Sequence, residues 1–242
     1  MICDIICEEC LRELCMHKVP LFASLSYEEL KSMADHMSCH TYQKGERLLS
    51  IGDIPQAFVV ILNGNVKTYT LSADGKEKIQ SILSENDYYG ELHLFSDHPA
   101  AYMVEALNNV KTCAFSREHF KVLLTAHPHM AVKLVEELGK RLVQTETILQ
   151  ATVAGKVGAR IAALLMEFSQ KYGVSGSLGL EIALPISREG MANYLGIARE
   201  TMSRKLKQME ESGLIASHGS KRLILLKPEV VERMAMGNEE EA

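Results

Sequence analysis

The polar and apolar positions of this chain change rhythm twice. From about Phe22 to Phe115, turn formers interrupt the sequence at Lys44-Gly45, Gly52-Asp53, Asn63-Gly64-Asn65, Ala73-Asp74-Gly75, Glu85-Asn86-Asp87 and Gly90. Short apolar or alternating runs such as AFVVIL and VKTYTL lie between them. Short strands punctuated in this way predict a compact antiparallel barrel or sandwich, and NGNVKTYTLSADGKEKI reads as a hairpin turning at Asp74-Gly75. From His129 to about Thr152 only Gly139 interrupts, and small or apolar residues recur at Ala131, Val135, Leu138, Leu142, Thr145, Leu149 and Thr152. Those steps alternate four and three, a heptad seam that predicts a helix pairing with a copy of itself. A helix laid on the barrel would carry a similar stripe. The narrow seam and its charged flanks favour a homodimer, with Val135, Leu138, Leu142, Thr145 and Leu149 at the interface.

Beyond the seam, two glycines in VAGKVG (153–158) mark a hinge and domain boundary. A second helix, ARIAALLMEFSQKY, stops at Gly173, and GVSGSLG reads as a flexible loop. Ser187 suits the N-cap of a short helix ending near Leu195. Gly196 then turns the chain, a second helix runs from about Ala198 to Glu211, and Gly213 closes it. Helix, glycine turn, helix is the helix-turn-helix layout, and IASHGSKRLILL adds two short strands around a Gly-Ser turn as a wing. The expected organisation is an α+β chain with a cysteine-rich segment (1–19), a β-roll sensor (20–126), a dimerisation helix (127–153), a winged helix-turn-helix (154–230) and a C-terminal tail (231–242).

Composition changes this picture in two places. The net charge of −5 argues against a nucleic-acid binder until its distribution is counted: residues 155–228 carry 11 Lys+Arg against 6 Asp+Glu, the remainder 15 against 25. A basic C-terminal third on an acidic body suits a DNA-reading module attached to a sensor. No signal sequence opens the chain, and no apolar run approaches the roughly 20 residues that span a bilayer, so a cytoplasmic protein without membrane association is expected. In that reducing compartment six cysteines suit ligands or redox-active thiols better than permanent disulfides. The stretch CEECLRELC places Cys7, Cys10 and Cys15 just after Cys3.

The second helix of the helix-turn-helix carries base-reading chemistry. Arg199, Glu200, Ser203 and Arg204 project from neighbouring parts of one face, while Met202, Leu206 and Met209 can pack inward. Arginine forks onto guanine O6 and N7, glutamate accepts from cytosine N4, and serine reaches either kind of edge. Lys205, Lys207, Lys221 and Arg222, with Ser187 and Arg188 at the start of the first helix, are the expected backbone contacts to double-stranded DNA. A merely solvated helix face would explain the charges but neither the turn nor the wing.

With barrel, dimer helix and winged helix-turn-helix in that order, the chain resembles the catabolite-activator and fumarate-nitrate-reduction family of bacterial transcription regulators. The resemblance rests on GELHLF (90–95), where members carry an effector-pocket motif, and on NYLGIARETMSRKLKQMEESGLI (193–215), close to the family's DNA-recognition signature. It implies a near-palindromic operator with half-sites about one helical turn apart and a shared TGA core. Arg199 and Glu200 resemble readers of TGTGA-type half-sites, whereas Ser203 with Arg204 resembles readers of TTGAT-type ones. RNA polymerase is a partner the resemblance allows. Cyclic-nucleotide members hold the cyclic phosphate with an Arg-Ser pair. Ala100 and Ala101 stand in the corresponding region, so cyclic AMP in the usual manner is not expected, although Glu91 is kept.

Oxygen-sensing members hold a 4Fe-4S cluster on three N-terminal cysteines and one at the end of the barrel. The resemblance assigns those places to Cys7, Cys10, Cys15 and Cys113, with Cys3 an alternative ligand, although the Cys10–Cys15 interval is one residue shorter than in the oxygen sensor. Two other uses stay open: structural zinc, which His17 and His40 could join, and a dithiol-disulfide switch between an N-terminal and a barrel cysteine, which some Gram-positive members use. Cys39 is expected to be a buried small hydrophobe. In the oxygen sensor an acidic residue in the dimer helix repels its twin. Thr145 holds the matching place, so a neutral seam that stays paired on switching is expected. No P-loop, Gly-x-Ser-x-Gly elbow or His-Glu-x-x-His pair suggests an enzyme, and no catalytic residue is assigned. Glu91, His93, Asp97 and His98 could be imagined as a metal site, but polar residues after a turn explain them more simply.

Overall fold

The computed structural model describes residues 16–34, 36–153, 157–219 and 221–237. The described chain forms two compact units: one reaches Thr70 and resumes over Gln80–Lys140, the other joins Leu71–Ile79 with the residues from Arg141 onward.

The first unit begins with helix α1 (Tyr27–Ala34). Ser26 and Glu29 start it with reciprocal bonds: the Ser26 amide donates to Glu29 Oε2 at 2.7 Å and the Glu29 amide to Ser26 Oγ at 3.3 Å. Eight strands follow: β1 (Met37–Tyr42), β2 (Arg47–Leu49), β3 (Ala57–Asn63), β4 (Val66–Leu71), β5 (Glu77–Leu83), β6 (Tyr88–Tyr89), β7 (Met103–Ala106) and β8 (Val110–Ser116). They make two four-stranded sheets, β1-β8-β3-β6 and β2-β7-β4-β5. This is the β-roll, and its expected hairpin turn, in the Leu71–Ile79 stretch that groups with the second unit, falls between β4 and β5, where Gly75 takes a φ of 78°.

Strand pleating divides the apolar residues of β3 and β8 between two cores. The register sets Phe58 opposite Phe115 and Val60 opposite Cys113. Phe58, Val60 and Phe115 join Phe22, Leu30, Phe120, Met130 and Leu134 on one side. The alternate residues Ile61 and Val110 join Leu49, Val66 and Val104 in the second core. Helix α2 (Arg117–Ala126) is capped by Ser116, whose Oγ accepts from the His119 amide at 3.3 Å. Helix α3 (Pro128–Val153) follows, and its first two turns bring Met130 and Leu134 to the Phe22 core.

The second unit contains helices α4 (Val157–Tyr172), α5 (Arg188–Leu195), α6 (Arg199–Glu211) and α7 (Pro228–Ala235). Strands β9 (Gly173–Ser175), β10 (Leu180–Ala183), β11 (Ile215–His218) and β12 (Arg222–Leu225) form one sheet in the order β11-β12-β10-β9. Two expectations are corrected here. GVSGSLG is not all loop, because Gly173–Ser175 pairs with Leu180–Ile182 as an edge strand. The segment expected to be a tail from 231 instead continues a helix begun at Pro228, which packs on α4 and buries Val231 completely.

Candidate nucleic-acid interface and sensor cysteines

Local rules account for the helix-turn-helix. Ser187 Oγ accepts from the Gly190 amide at 3.1 Å and starts α5. Gly196 ends it with a φ of 61°, a left-handed geometry that glycine adopts without steric cost. Met191, Ala192 and Leu195 of α5 and Met202, Leu206 and Met209 of α6 are buried, which fixes the pose of α6 and leaves its other face to solvent. On that outer face Arg199, Glu200 and Arg204 are exposed and Ser203 is half-buried. Among the described residues none makes an ion pair with Arg199, Glu200 or Arg204, so these side chains are available to a partner. The exposed amides of the first turn of α6 add a partial positive charge.

The expected backbone contacts divide into two groups. Lys221 in the wing turn and Arg222 at the start of β12 are exposed at the tip of the wing, and Lys207 is exposed beside Glu211 at 3.6 Å. The others are partly committed elsewhere. Lys205 is half-buried and donates to Gln208 Oε1 at 3.3 Å. Arg188 donates to Ser217 Oγ at 3.0 Å, and Ser217 in turn donates to Glu210, so α5, the wing and the end of α6 share one polar network. The Ser187 hydroxyl oxygen serves as the helix cap.

In the β-roll, Gly90 has a φ of 94°, and a Cβ there would lie 2.4 Å from the Ala57 carbonyl oxygen. A 3-10 turn, Glu91–His93, follows, with Glu91 and His93 both buried. His93 Nδ1 lies 3.1 Å from the His98 carbonyl oxygen. Asp97 is bonded to Arg117, whose guanidinium holds the carboxyl below the ordinary range. Glu91, His93, Asp97 and His98 are thus not gathered as metal ligands, and among the described residues no three His, Cys, Asp or Glu side chains are so grouped. Ala100 is buried, its amide donating to the Asp53 carbonyl at 2.8 Å, and the position brings no charge to the roll.

The cysteines depart from expectation. Cys39 on β1 lies directly opposite Cys113 on β8, and the two are joined as a disulfide. Cys39 is exposed, not buried as expected, because β1 is the edge strand of its sheet; Cys113 is completely buried. A buried sulfur already bonded to another cannot also serve as a cluster thiolate, so the arrangement seen does not fit Cys113 as an iron ligand. The barrel cysteine's partner is also Cys39 rather than an N-terminal cysteine. Cys3, Cys7, Cys10 and Cys15 lie outside the described residues.

Along α3, Val135 and Leu142 are 67% and 60% exposed, an apolar stripe without a covering partner among the described residues. Val132 and Val143, which the heptad did not include, are each 61% exposed. Leu138 instead packs partly against the Phe22 core. Thr145 is exposed, its hydroxyl donating to the Arg141 carbonyl at 2.8 Å, and the Leu149 side chain lies outside the described residues.

A β-roll, a long helix with an open apolar stripe and a winged helix-turn-helix together define a DNA-binding regulator with a sensor domain. Residues 39–127 match the cyclic nucleotide-binding domain and residues 159–234 the Crp-like helix-turn-helix domain. The chain is similar to a probable transcriptional regulator flp of Lacticaseibacillus casei, 29% identical and covering 91% of this chain and 98% of that one. It is also similar to a CRP-like cAMP-activated global transcriptional regulator of Mycobacterium tuberculosis, 22% identical over 84% and 91%. A solved CooA mutant from Carboxydothermus hydrogenoformans shares the fold, with a TM-score of 0.76 at 19% identity over 90% and 94%. This chain belongs to the Crp/Fnr family of transcription regulators: it is a DNA-binding regulator and not an enzyme. Among the described residues no helix is long and apolar enough to cross a membrane.

Proposed function

We propose that this regulator binds DNA as a homodimer and that the oxidation state of its cysteines sets its affinity for the operator. The observation that carries the redox input is the Cys39–Cys113 disulfide, which has one exposed and one buried end. A DNA-binding protein works beside DNA in the reducing cell interior, where disulfides are mostly transient and sensing rather than structural. Helix α6 reads half-sites with a TGA core through Arg199, Glu200, Ser203 and Arg204. Lys207, Lys221 and Arg222 hold phosphates, and Lys205, Ser187 and Arg188 contribute at the margin. Pairing of α3 through Val135, Leu142 and their neighbours sets the half-sites about one helical turn apart.

An iron-sulfur cluster on Cys7, Cys10, Cys15 and Cys113, with Cys3 in reserve, requires Cys113 to be released from Cys39 and uncovered. The disulfide reading requires neither change and is preferred. The deciding experiment compares operator affinity at fixed salt for peroxide-oxidised protein, dithiol-reduced protein and the Cys39→Ser variant, alongside iron and acid-labile sulfide on anoxically purified protein. Affinity that differs between the oxidised and reduced forms, with Cys39→Ser locked at the reduced value, is expected. Equal affinity in all three refutes redox control through this pair. Stoichiometric iron and sulfide lost in Cys113→Ala would replace the disulfide with the cluster.

A further inference from the structure

The two ends of the Cys39–Cys113 bond have opposite surroundings. Their Cα atoms are 4.2 Å apart, the close approach of a non-hydrogen-bonded pair in an antiparallel ladder, and 74 residues of chain separate them. On β1, the residues from Ser38 to Thr41 are all exposed, and among the described residues no strand pairs with the outer edge. Cys113 is wholly buried, flanked across β3 by Val60 and along β8 by Phe115, both also fully buried. Phe115 in turn meets the Phe22 ring at 5.8 Å. The bond therefore runs from solvent into the core.

We infer that this bond is a thiol-exchange site opened at Cys39 by a dithiol reductant and closed by a peroxide. The inference rests on the redox reading above and adds which sulfur reacts. Exchange requires the attacking thiolate to approach a sulfur in line with the bond it breaks, and access decides which sulfur that is. Cys39 lies on the solvent side with Cys113 behind it. The reductant's thiolate bonds to Cys39 Sγ, the Cys39–Cys113 bond breaks, and the electron pair leaves on Cys113 sulfur, which takes up a proton. The reductant's second thiolate then attacks its own sulfur in the mixed disulfide, releasing Cys39 as a thiolate that is protonated in turn. One protein disulfide and one dithiol become two protein thiols and one oxidised reductant. In closing, the Cys39 thiolate attacks a peroxide oxygen, the O–O bond breaks to give a sulfenic acid and hydroxide, and the hydroxide takes a proton from solvent to leave as water. Cys113 sulfur then displaces the hydroxyl as a second water, its thiol proton going with it.

The site is placed to be felt beyond itself. β1 follows directly from α1, whose Leu30 and Met33 share a core with Met130 and Leu134 of α3. Opening the bond removes the covalent tie between edge strand β1 and β8 and leaves β1 held by its backbone ladder and by Met37 in the same core that seats the start of α3.

The test uses the full, folded, peroxide-oxidised chain, with a second form carrying Cys3→Ser, Cys7→Ser, Cys10→Ser and Cys15→Ser so that only this pair can exchange. Each is treated with the monothiol glutathione in native buffer, quenched in acid and mapped by peptide mass spectrometry. The expected result is a glutathione adduct on Cys39 in at least about tenfold excess over Cys113, appearing without denaturant. Adducts mainly on Cys113, opening only in urea, or a pair that stays reduced after peroxide would each overturn the inference. Operator affinity measured on the same samples separates the two claims. Exchange at Cys39 with unchanged affinity leaves the chemistry standing and removes the redox reading, whereas redox-dependent affinity without exchange at Cys39 does the reverse.

Discussion

Replacing Arg204 with alanine tests whether α6 reads bases. Arg204 is exposed in the second turn of a helix held by Met202, Leu206 and Met209, and among the described residues it has no ion-pair partner. Among the described residues its guanidinium has no internal contact to leave before meeting a base, unlike Arg188, which is bonded to Ser217. A bidentate contact to guanine discriminates against the wrong base by about 1–3 kcal/mol, which corresponds to a loss of roughly 5- to 150-fold in the ratio of operator to random-DNA affinity. Removal of an exposed side chain should change folding stability by no more than about 0.5 kcal/mol, so a melting curve confirms that the loss is one of recognition. Fluorescence anisotropy at several salt concentrations supplies the ratio. Lys207→Ala is the companion: it should weaken operator and random DNA alike and lower the salt slope by about 1. If Arg204→Ala left the ratio unchanged while affinity for both DNAs fell together, Arg204 would be a phosphate contact and α6 would not read sequence through it.

Introducing Val135→Glu with Leu142→Glu places charges on the open stripe of α3 and should leave a monomer at micromolar concentration; a sedimentation profile unchanged from the parent would remove this face from the interface. Because Thr145 is neutral and its hydroxyl is bonded to its own helix, dithiol-reduced protein should remain dimeric, and a reduced monomer in the same experiment would contradict the neutral-seam argument. Gly90→Ala combines a left-handed φ with a Cβ 2.4 Å from the Ala57 oxygen and should cost at least about 2 kcal/mol in urea unfolding; a change below half of that would show that the turn yields easily. Tyr194 is raised above the ordinary phenol range by burial first and by Glu167 second, its hydroxyl lying 3.1 Å from Glu167 Oε2. The folded state therefore keeps a proton that the unfolded chain sheds near pH 10, and stability should fall as pH rises above about 10. Tyr194→Phe should flatten that fall in urea titrations between pH 9 and 11, and an unaltered slope would exclude the phenol as its source.

The DNA-binding end was legible because its signals are local. Ser187, Gly196 and Gly213 each dictate a backbone event within four residues of themselves, and the apolar spacing of α6 decides its outward face without reference to the rest of the chain. The hairpin at Asp74-Gly75 was legible for the same reason. Features that depend on distant partners were not. Gly173–Ser175 becomes a strand only because β10 offers an edge, and α7 exists because α4 supplies apolar surface for Val231. Leu138 fits the heptad, yet part of its surface is taken by the sensor core, a competition that periodicity along one helix cannot express.

The cysteines show the same limit where it bears on function. Spacing directs attention to Cys7, Cys10 and Cys15, which lie close together in sequence, whereas Cys39 stands alone and reads as a small hydrophobe. Its role is decided by register: Met37 opposite Phe115 fixes Cys39 opposite Cys113, and a slip of one residue would turn Cys39 to the other face of the strand. That register is held by apolar contacts on the Phe22 side, since Phe115 is fully buried there and Met37 packs against the same cluster. The core thus specifies which thiol Cys113 can meet. Truncating it by Phe115→Ala would remove about 3–5 kcal/mol of packing, and disulfide formation should weaken along with the fold. Conversely, Cys39→Ser should leave the register intact, because the contacts that set it do not involve the sulfur. A Cys39→Ser protein that retained its fold but lost redox-dependent DNA binding would place the sensing event in this pair; one that kept it would return the event to the N-terminal cysteines.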